Sequence, residues 1–299
     1  MARIVTFNVH EWRDAAGRER LDDIVALLTS LDADVIALQE VPGDERLDHV
    51  ADALRSSVAW APSAFLGNVL LSRNELQDVV STFLSAPGHE LRGALAAETV
   101  VHGEALRVVV AHLDHQHEVA RVLQSQQLVA WAAGEPHLLV GDLNAVDLDD
   151  YSEARHAALD TERRALGWET LRGDVLAGLK QALYADAVAP FLSKRGSVST
   201  CRAGIRIDHA LLSPRCPWAA VAAEVVATDV SDHHAVVLNL VHVSAPQAPA
   251  RSRGRPLGGD DDDVPGGVDA KPGPALLGRH DRRAEALHLG VGVGLDRGR

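Results

Sequence analysis

The most informative stretch of this chain is Pro136-His137-Leu138-Leu139-Val140-Gly141-Asp142-Leu143-Asn144. A short apolar run that ends in Gly-Asp is typical of a buried strand. Side chains alternate along a strand, so Asp142 and Asn144 are expected to point the same way at the rim of a sheet. A carboxylate there can orient or deprotonate a water, and an amide can hydrogen-bond an oxygen that gains charge. Both residue types also form ordinary turns, so this stretch alone leaves the two interpretations open.

The composition indicates a soluble chain with a full hydrophobic core. The 299 residues are 46% hydrophobic, which allows one large domain or two small ones. No run of about 18 apolar residues predicts a membrane span. The sequence from Met1 leads directly into a strand without the layout of a signal peptide. We therefore expect a cytoplasmic protein without membrane insertion, and only two cysteines, Cys201 and Cys216, exclude a disulfide scaffold.

The net charge of −13 argues against a broad surface that grips the phosphates of duplex nucleic acid. Lysine occurs at only three positions, and aromatic residues make up 4% of the chain, which leaves few rings for base stacking. The acidity does not exclude nuclease chemistry, because a carboxylate site that holds a divalent ion also adds negative charge.

Apolar periodicity predicts an α/β arrangement. Leucine, isoleucine and valine recur at helical spacing over residues 19–31, whereas shorter alternating runs between residues 58 and 112 indicate antiparallel strands. Two sheets packed face to face with helices outside are therefore expected. Predicted strands cover 4–10, 33–40, 58–61, 67–71, 76–84, 94–101, 105–112, the run before Asp142, 197–200, 204–212, 218–227 and 235–243, and predicted helices cover 19–31, 45–55, 118–131, 149–159 and 173–184.

The composition changes after about residue 243. The following segment is rich in Pro, Gly, Arg and Asp and has too little periodic apolar content to fold alone. We predict a domain over residues 1–243 and a disordered tail over residues 244–299.

Acids, amides and imidazoles end several of the predicted strands. In a two-sheet sandwich these strand ends would converge on one rim. One such residue is ordinary, but a repeated pattern indicates a site. The residues are Asn8, Glu40, His112, Asp142, Asp208, Asp232 and His233.

Six motifs in a fixed order carry a resemblance to a known family. They are Thr6-Phe7-Asn8, Leu38-Gln39-Glu40, Ala111-His112-Leu113, Gly141-Asp142-Leu143-Asn144, Arg206-Ile207-Asp208-His209 and Ser231-Asp232-His233. This series resembles the endonuclease/exonuclease/phosphatase superfamily, the metal-dependent group that includes deoxyribonuclease I, exonuclease III, sphingomyelinases and inositol polyphosphate 5-phosphatases. The resemblance implies an α/β fold, a four-layer α/β/β/α sandwich with two mostly antiparallel mixed sheets.

The same resemblance implies a metal site for Mg²⁺ or Mn²⁺, ions that prefer oxygen ligands. Glu40 is the leading ligand, and Asn8 and Asp232 would complete the site. Asp142 would hold a second ion or orient the attacking water.

The remaining catalytic roles are also implied by the resemblance. Asn144 would bond the scissile phosphate and His112 would add a donor to it. His233 would be hydrogen-bonded to Asp208, which favours the charged imidazole. The sequence leaves open whether His233 is a base or a phosphate clamp.

The resulting hypothesis is a Mg²⁺-dependent phosphoesterase, with a nuclease on DNA or RNA as the largest single option. The alternative is a phosphatase or phosphodiesterase on a small phosphoester, such as an inositol phosphate or a phospholipid headgroup. A non-catalytic binding module on the same fold is less favoured because every motif position is intact. We expect a monomer.

Two other metal chemistries are disfavoured by the motifs. A calcineurin-type phosphatase needs an early Asp-x-His and a Gly-Asn-His motif, and a metallo-β-lactamase-type hydrolase needs His-x-His-x-Asp-His. A zinc cluster around Asp114, His115 and His117 is also conceivable, but the spacing of His112 and His115 favours helix capping and support of neighbouring side chains instead.

Overall fold

The computed structural model describes residues 1–63, 66–192 and 199–243. The predicted tail 244–299 lies outside these residues. Within them the strands are β1 (Ala2–Asn8), β2 (Val35–Val41), β3 (Ser57–Ser63), β4 (Leu66–Ser72), β5 (Gln77–Leu84), β6 (Arg92–Val101), β7 (Glu104–His112), β8 (Leu138–Asp142), β9 (Ala185–Asp186), β10 (Asp208–Leu212), β11 (Trp218–Val226) and β12 (Ala235–His242). The α-helices are α1 (Leu21–Leu31), α2 (Glu45–Leu54), α3 (Glu118–Ala132), α4 (Glu153–Ala165) and α5 (Asp174–Gln181).

The strands form two six-stranded mixed sheets. The first has the order β11-β12-β1-β2-β4-β3, and the second has the order β5-β6-β7-β8-β10-β9. Each sheet contains one parallel pair, β1 with β2 and β7 with β8, and its other neighbouring strands run antiparallel. The prediction of two mostly antiparallel mixed sheets is confirmed.

Alternation along the strands builds the layers. Ile4 faces the core between the sheets, whereas Val5 next to it packs towards α1 and α2. In the second sheet Val140 faces the core between the sheets and Leu139 packs towards α3 and α5. The layers are therefore α/β/β/α, as the resemblance implied. No helix within the described ranges is long and apolar enough to cross a bilayer.

Several predicted boundaries were wrong where side chains cap or terminate an element. Residues 149–151 were predicted to cap a helix through Leu159, but the helix runs from Glu153 to Ala165 and its N-cap is Ser152, which accepts a hydrogen bond from Arg155 N–H. In the predicted strand 197–200, positions 197 and 198 lie outside the described residues, and Ser199 and Thr200 are not in a strand. Thr200 Oγ1 instead accepts the N–H groups of Ile207 and Asp208. Cys201 and Cys216 are both free.

The predicted strand 204–212 starts only at Asp208, because the residues before it lead into a buried ion network. The Arg206 side chain is 1% exposed. It donates to Asp150 Oδ2 at 2.8 Å and to Asp186 Oδ2 at 2.8 Å, and its Nη1 also contacts His209 Nδ1 at 3.1 Å. Removing one member of a buried pair leaves an uncompensated charge, so this network fixes the start of β10.

Replacing Arg206 with methionine is expected to lower the free energy of unfolding by about 3–5 kcal/mol, because Asp150 and Asp186 would lose their buried cation. Urea unfolding followed by circular dichroism measures the change. Arg164→Met is the matched control, since its side chain is 69% exposed and pairs with Asp160 at 3.7 Å. The control should cost less than about 1 kcal/mol. Equal losses in both variants would contradict the role given to Arg206.

Candidate active site

The predicted site residues meet at one cavity where the carboxyl ends of the parallel strands from both sheets converge. Asn8 ends β1, Glu40 lies near the end of β2, and His112 and Asp142 end β7 and β8. The cavity has a volume of about 760 Å³. Asn8 is completely buried, and the following predicted residues line the cavity: Glu40, His112, Asp142, Asn144, Asp232 and His233.

Glu40 is aimed at the cavity by an irregularity in β2. The register between β2 and β4 shifts between Leu38 and Val41, and Glu40 adopts a positive φ of 57°. A bulge of this kind redirects a side chain, and a non-glycine residue in this conformation is strained by about 1–3 kcal/mol. The sequence predicted a strand end at Glu40 but gave no sign of the bulge.

Asn8 connects a carboxylate from each sheet. Its Nδ2 donates to Glu40 Oε1 at 3.0 Å and to Asp142 Oδ2 at 3.1 Å. Its Oδ1 accepts the N–H of His10 at 3.0 Å. In this arrangement Asn8 holds the two acids together through its amide nitrogen, and its metal-ligand role stays a prediction.

Asp142, His233 and Asp208 form a buried charge cluster. His233 Nδ1 lies 2.9 Å from Asp208 Oδ2, and His233 Nε2 lies 3.6 Å from Asp142 Oδ2. Burial, joined by the Asp208 carboxylate, raises the pKa of Asp142 to about 7. Burial alone would lower the pKa of His233, but the Asp208 and Asp142 carboxylates outweigh it and raise that pKa to about 10. The pairing of His233 with Asp208 is where the sequence placed it.

His112 is a neutral hydrogen-bond donor at this site. Burial, helped by the positive charge of Arg92, holds the pKa of His112 well below its usual range. Arg92 Nη1 lies 3.5 Å from His112 Nδ1, and a guanidinium can only donate, so Nδ1 accepts and Nε2 carries the proton. Nε2 faces Asp142 Oδ2 at 3.6 Å and Glu40 Oε1 at 3.8 Å. The predicted role of His112 as a donor to the phosphate stays a prediction.

Asn144 and Asp232 lie outside the buried charge cluster of Asp142, His233 and Asp208. Asn144 lies beyond the end of β8 with a positive φ of 50°, so it reaches the cavity through a turn rather than through strand alternation. Its N–H donates to Asp142 Oδ1 at 2.9 Å, which fixes that carboxylate. The side chain of Asp232 is 28% exposed, and its Oδ1 lies 3.7 Å from His10 Nδ1.

The donor set fits a divalent metal ion. Two groups bring their ligand atoms within 4.8 Å of one another, Glu40 with His112 and Asp142, and Asp142 with Asp208 and His233. Carboxylate oxygens dominate both groups, which is the chemistry that Mg²⁺ and Mn²⁺ prefer. Asp208 Oδ1 is also buried and has no hydrogen-bond partner in the described part of the chain, so the cluster carries more negative charge than the donors described there satisfy.

The sequence profile of the endonuclease/exonuclease/phosphatase family matches residues 5–233, which contain every motif described above. The chain belongs to this family. Its members are hydrolases that act on phosphoester bonds.

Solved structures of family members share the fold at low sequence identity. An endonuclease/exonuclease/phosphatase from Beutenbergia cavernae is 22% identical with a TM-score of 0.62, covering 83% of this chain and 73% of that chain. An AP endonuclease from Archaeoglobus fulgidus is 19% identical with a TM-score of 0.59, covering 81% and 99%. A mannosyl-6-phosphatase from Bacteroides thetaiotaomicron is 16% identical with a TM-score of 0.57, covering 81% and 100%. No curated protein sequence matches the chain.

This family member also has cavity residues that the sequence analysis did not assign to the site. Arg46 comes from α2. Leu166 and Trp168 come from the segment after α4, and Arg202 comes from the loop before β10. These residues lie in or beside loops, where no periodic signal marks them. Only the three-dimensional structure shows that they line the same cavity as the motifs.

The prediction of helix capping by Asp114 was wrong, because Glu169 Oε2 accepts the N–H groups of Glu118 and Val119 in the first turn of α3, and Asp114 instead orders the turn before it. Its Oδ1 accepts the N–H groups of Gln116 at 2.8 Å and His117 at 2.7 Å, just before α3. His115 supports a cavity residue, because its Nδ1 lies 3.0 Å from Arg92 Nη2.

Gly141 lets β8 approach β7 closely enough to place Asp142. It has a φ of 136°, and a Cβ there would lie 2.0 Å from the carbonyl oxygen of Ala111. Any larger residue would have to push the backbone of β7 away. Gly141 therefore permits the close approach of β8 to β7, and this approach places Asp142 at the cavity.

Gly141→Ala is expected to lower the free energy of unfolding by at least about 3 kcal/mol, because it adds backbone strain and a clash with Ala111. Gly178→Ala in α5 is the matched control, since a Cβ there has no neighbour within 4 Å. That control should stabilise the protein by about 0.5–1 kcal/mol, as alanine does inside a helix. Thermal unfolding of both variants measures the pair, and two changes of the same sign would contradict the close-approach argument.

Proposed function

We propose that this protein is a divalent-metal-dependent phosphoesterase. The observation that carries the proposal is the pair of acidic clusters that share Asp142, one with Glu40 and His112 and the other with Asp208 and His233. Buried acids of this density are costly unless a cation compensates them. Phosphoester hydrolysis needs a cation on the phosphate, a water placed in line and donors for the equatorial oxygens.

The chain's own residues divide these tasks. Glu40 and Asp142 would hold the ion, with Asp232 and Asn8 as the further ligands predicted from the sequence. A divalent ion there supplies charge neutralisation of the phosphate and lowers the pKa of a bound water.

The remaining groups orient the substrate and the water. His233 is anchored through Nδ1 to Asp208, so its Nε2–H is free to donate to a phosphate oxygen. His112 presents a second donor from Nε2, and Asn144 lines the same cavity with its Nδ2 donating to the carbonyl oxygen of Leu113 at 3.1 Å. Asp142 is the carboxylate placed to orient the attacking water.

A small phosphoester is the substrate class that the cavity favours. A volume of about 760 Å³ falls within the range of small-molecule sites. Two of the arginines that line it are already paired, Arg46 with Asp44 at 2.6 Å and Arg92 with Glu90 at 2.9 Å. Tight binding of a nucleic-acid backbone rests on neutralising several phosphates, and these paired arginines are poorly suited to that task.

A nuclease is the second candidate, and it was the first choice from the sequence. The fold similarity to the AP endonuclease from Archaeoglobus fulgidus supports it at the level of the fold. The similarity to the mannosyl-6-phosphatase from Bacteroides thetaiotaomicron supports the small-substrate candidate in the same way.

Hydrolysis assays separate the two candidates. Bis-p-nitrophenyl phosphate, p-nitrophenyl phosphate, sugar phosphates, supercoiled plasmid and short single-stranded DNA are each incubated with Mg²⁺, Mn²⁺ or EDTA. Metal-dependent turnover of the small esters without cleavage of DNA is expected. Efficient plasmid nicking would favour the nuclease, and no turnover of any substrate would contradict the proposed phosphoesterase.

Glu40→Gln is expected to reduce metal-dependent turnover by at least about 100-fold while leaving the fold intact, because it replaces a charged oxygen ligand with a neutral amide of the same shape. The measurement is kcat for the best substrate at saturating Mg²⁺. Glu45→Gln, an exposed carboxylate at the start of α2, is the control and should retain wild-type turnover. Unchanged kcat in Glu40→Gln would remove the metal assignment.

Trp168→Ala is expected to raise KM by about 3- to 10-fold with little change in kcat, because an aromatic face on the cavity wall stacks on an organic part of the substrate. The ring is held by Arg163, whose Cζ lies 5.2 Å from its centroid, and by His115 at a centroid distance of 5.4 Å. Trp168→Phe should keep most of the affinity. A fall in kcat at constant KM would place Trp168 in the chemical step instead.

A further inference from the structure

A second cluster of metal-ligating side chains lies outside the catalytic cavity. His89 is in the loop between β5 and β6, Asp114 follows β7, and His117 is the N-cap of α3. One nitrogen of each histidine and one carboxylate oxygen of Asp114 all lie within 4.8 Å of one another. His89 and His117 are not among the residues that line the cavity.

His89 Nδ1 and His117 Nδ1 are both buried and have no hydrogen-bond partner among the described residues. Buried polar atoms are rarely left in this state without a water or an ion. Two such nitrogens beside a buried carboxylate indicate a shared cation that accepts an electron pair from each of the three side chains.

A simple histidine–carboxylate hydrogen bond does not account for the cluster. His117 Nδ1 lies 3.3 Å from Asp114 Oδ1, but the geometry leaves Nδ1 without a hydrogen bond. Asp114 Oδ1 already accepts two backbone N–H groups. His89 remains unexplained by any such pair, although its ring centroid lies only 4.4 Å from that of His117.

We propose that His89, Asp114 and His117 form a binding site for Zn²⁺ or a similar late transition-metal ion. Two imidazole nitrogens and one carboxylate oxygen are a donor set that these ions prefer over Mg²⁺. The donor set differs from the carboxylate-rich cavity, so the two sites select different ions.

The ion would fasten the β5–β6 loop to α3. That helix already holds the loop through two glutamines on its face towards the loop. Gln124 Nε2 donates to the carbonyl oxygen of Glu90 at 3.2 Å, and Gln127 bonds both backbone groups of Ser85. His117 continues this row at the start of the helix. Glu90, which follows His89, lines the catalytic cavity, so the site would fix one edge of that cavity.

Equilibrium dialysis of metal-stripped, full-length protein against Zn²⁺ in excess Mg²⁺ tests the site. Wild type should bind one Zn²⁺ that His89→Asn and His117→Asn each bind at least about 100-fold more weakly. The matched control is His49→Asn on α2, whose side chain is 56% exposed and far from the cluster in sequence. Any Zn²⁺ that binds in the catalytic cavity would bind with the same affinity to wild type and to the three variants. Unchanged Zn²⁺ affinity in both cluster variants would overturn the proposal.

A second measurement uses wild type alone and does not depend on how the variants fold. Hydrogen–deuterium exchange of residues 85–91 is followed with and without Zn²⁺ in excess Mg²⁺. Slower exchange in this loop on addition of Zn²⁺ is expected, and exchange that Zn²⁺ leaves unaltered would overturn the proposal. Neither measurement uses hydrolysis, so the result stands whether or not the protein is a phosphoesterase.

Discussion

The side-chain amide of Asn8 holds one carboxylate from each sheet, and the rest of the site depends on that connection. Glu40 belongs to the first sheet and Asp142 to the second, and both accept from the same nitrogen. The connection is available because each sheet has one parallel strand pair. Parallel strands end at the same edge, so the carboxyl ends of four strands can present their side chains to one cavity. The sandwich then brings the two edges together.

This concentration of acids costs stability, and the fold offsets it elsewhere. Asp208 is completely buried with Oδ1 unpartnered, and Glu40 is held in a strained conformation. Each feature opposes folding by the desolvation of a charge or by backbone strain. Three apolar layers, one between the sheets and one under each helical face, provide the compensating burial. The acids persist at the rim of these layers, where a cation and a substrate phosphate can reach them.

The sequence predicted the layers because they depend on local periodicity. The alternation of Ile4 with Val5 and of Leu139 with Val140 is visible in any strand-length window, and it fixes which face each residue buries. The predicted strand over residues 204–212 failed at its start because distant partners decide the conformation there. Residues 204–207 have a strand-like pattern. Arg206, however, donates hydrogen bonds to Asp150 and Asp186, which are distant in sequence.

The same distinction separates the predicted site from the part that only the structure shows. Asn8, His112 and Asp142 end strands, so their convergence follows from topology. The bulge at Glu40, the aromatic wall at Trp168 and the histidine cluster around Asp114 depend on loops and on contacts between segments far apart in the chain. No local pattern encodes such contacts, because the partners are chosen by the packing of the whole domain.

A further contact between the sheets lies next to Arg92, the residue that faces His112. The sheets approach backbone to backbone at Gly93, where its N–H donates to Ser63 Oγ at 2.9 Å and its carbonyl oxygen accepts from Asn68 Nδ2 at 2.7 Å. A Cβ at Gly93 would lie 2.4 Å from the carbonyl oxygen of Pro62, so only glycine permits this approach. The preceding residue, Arg92, places Nη1 at 3.5 Å from His112 Nδ1, and a guanidinium can donate but not accept. His112 must therefore carry its proton on Nε2, the nitrogen that faces the cavity.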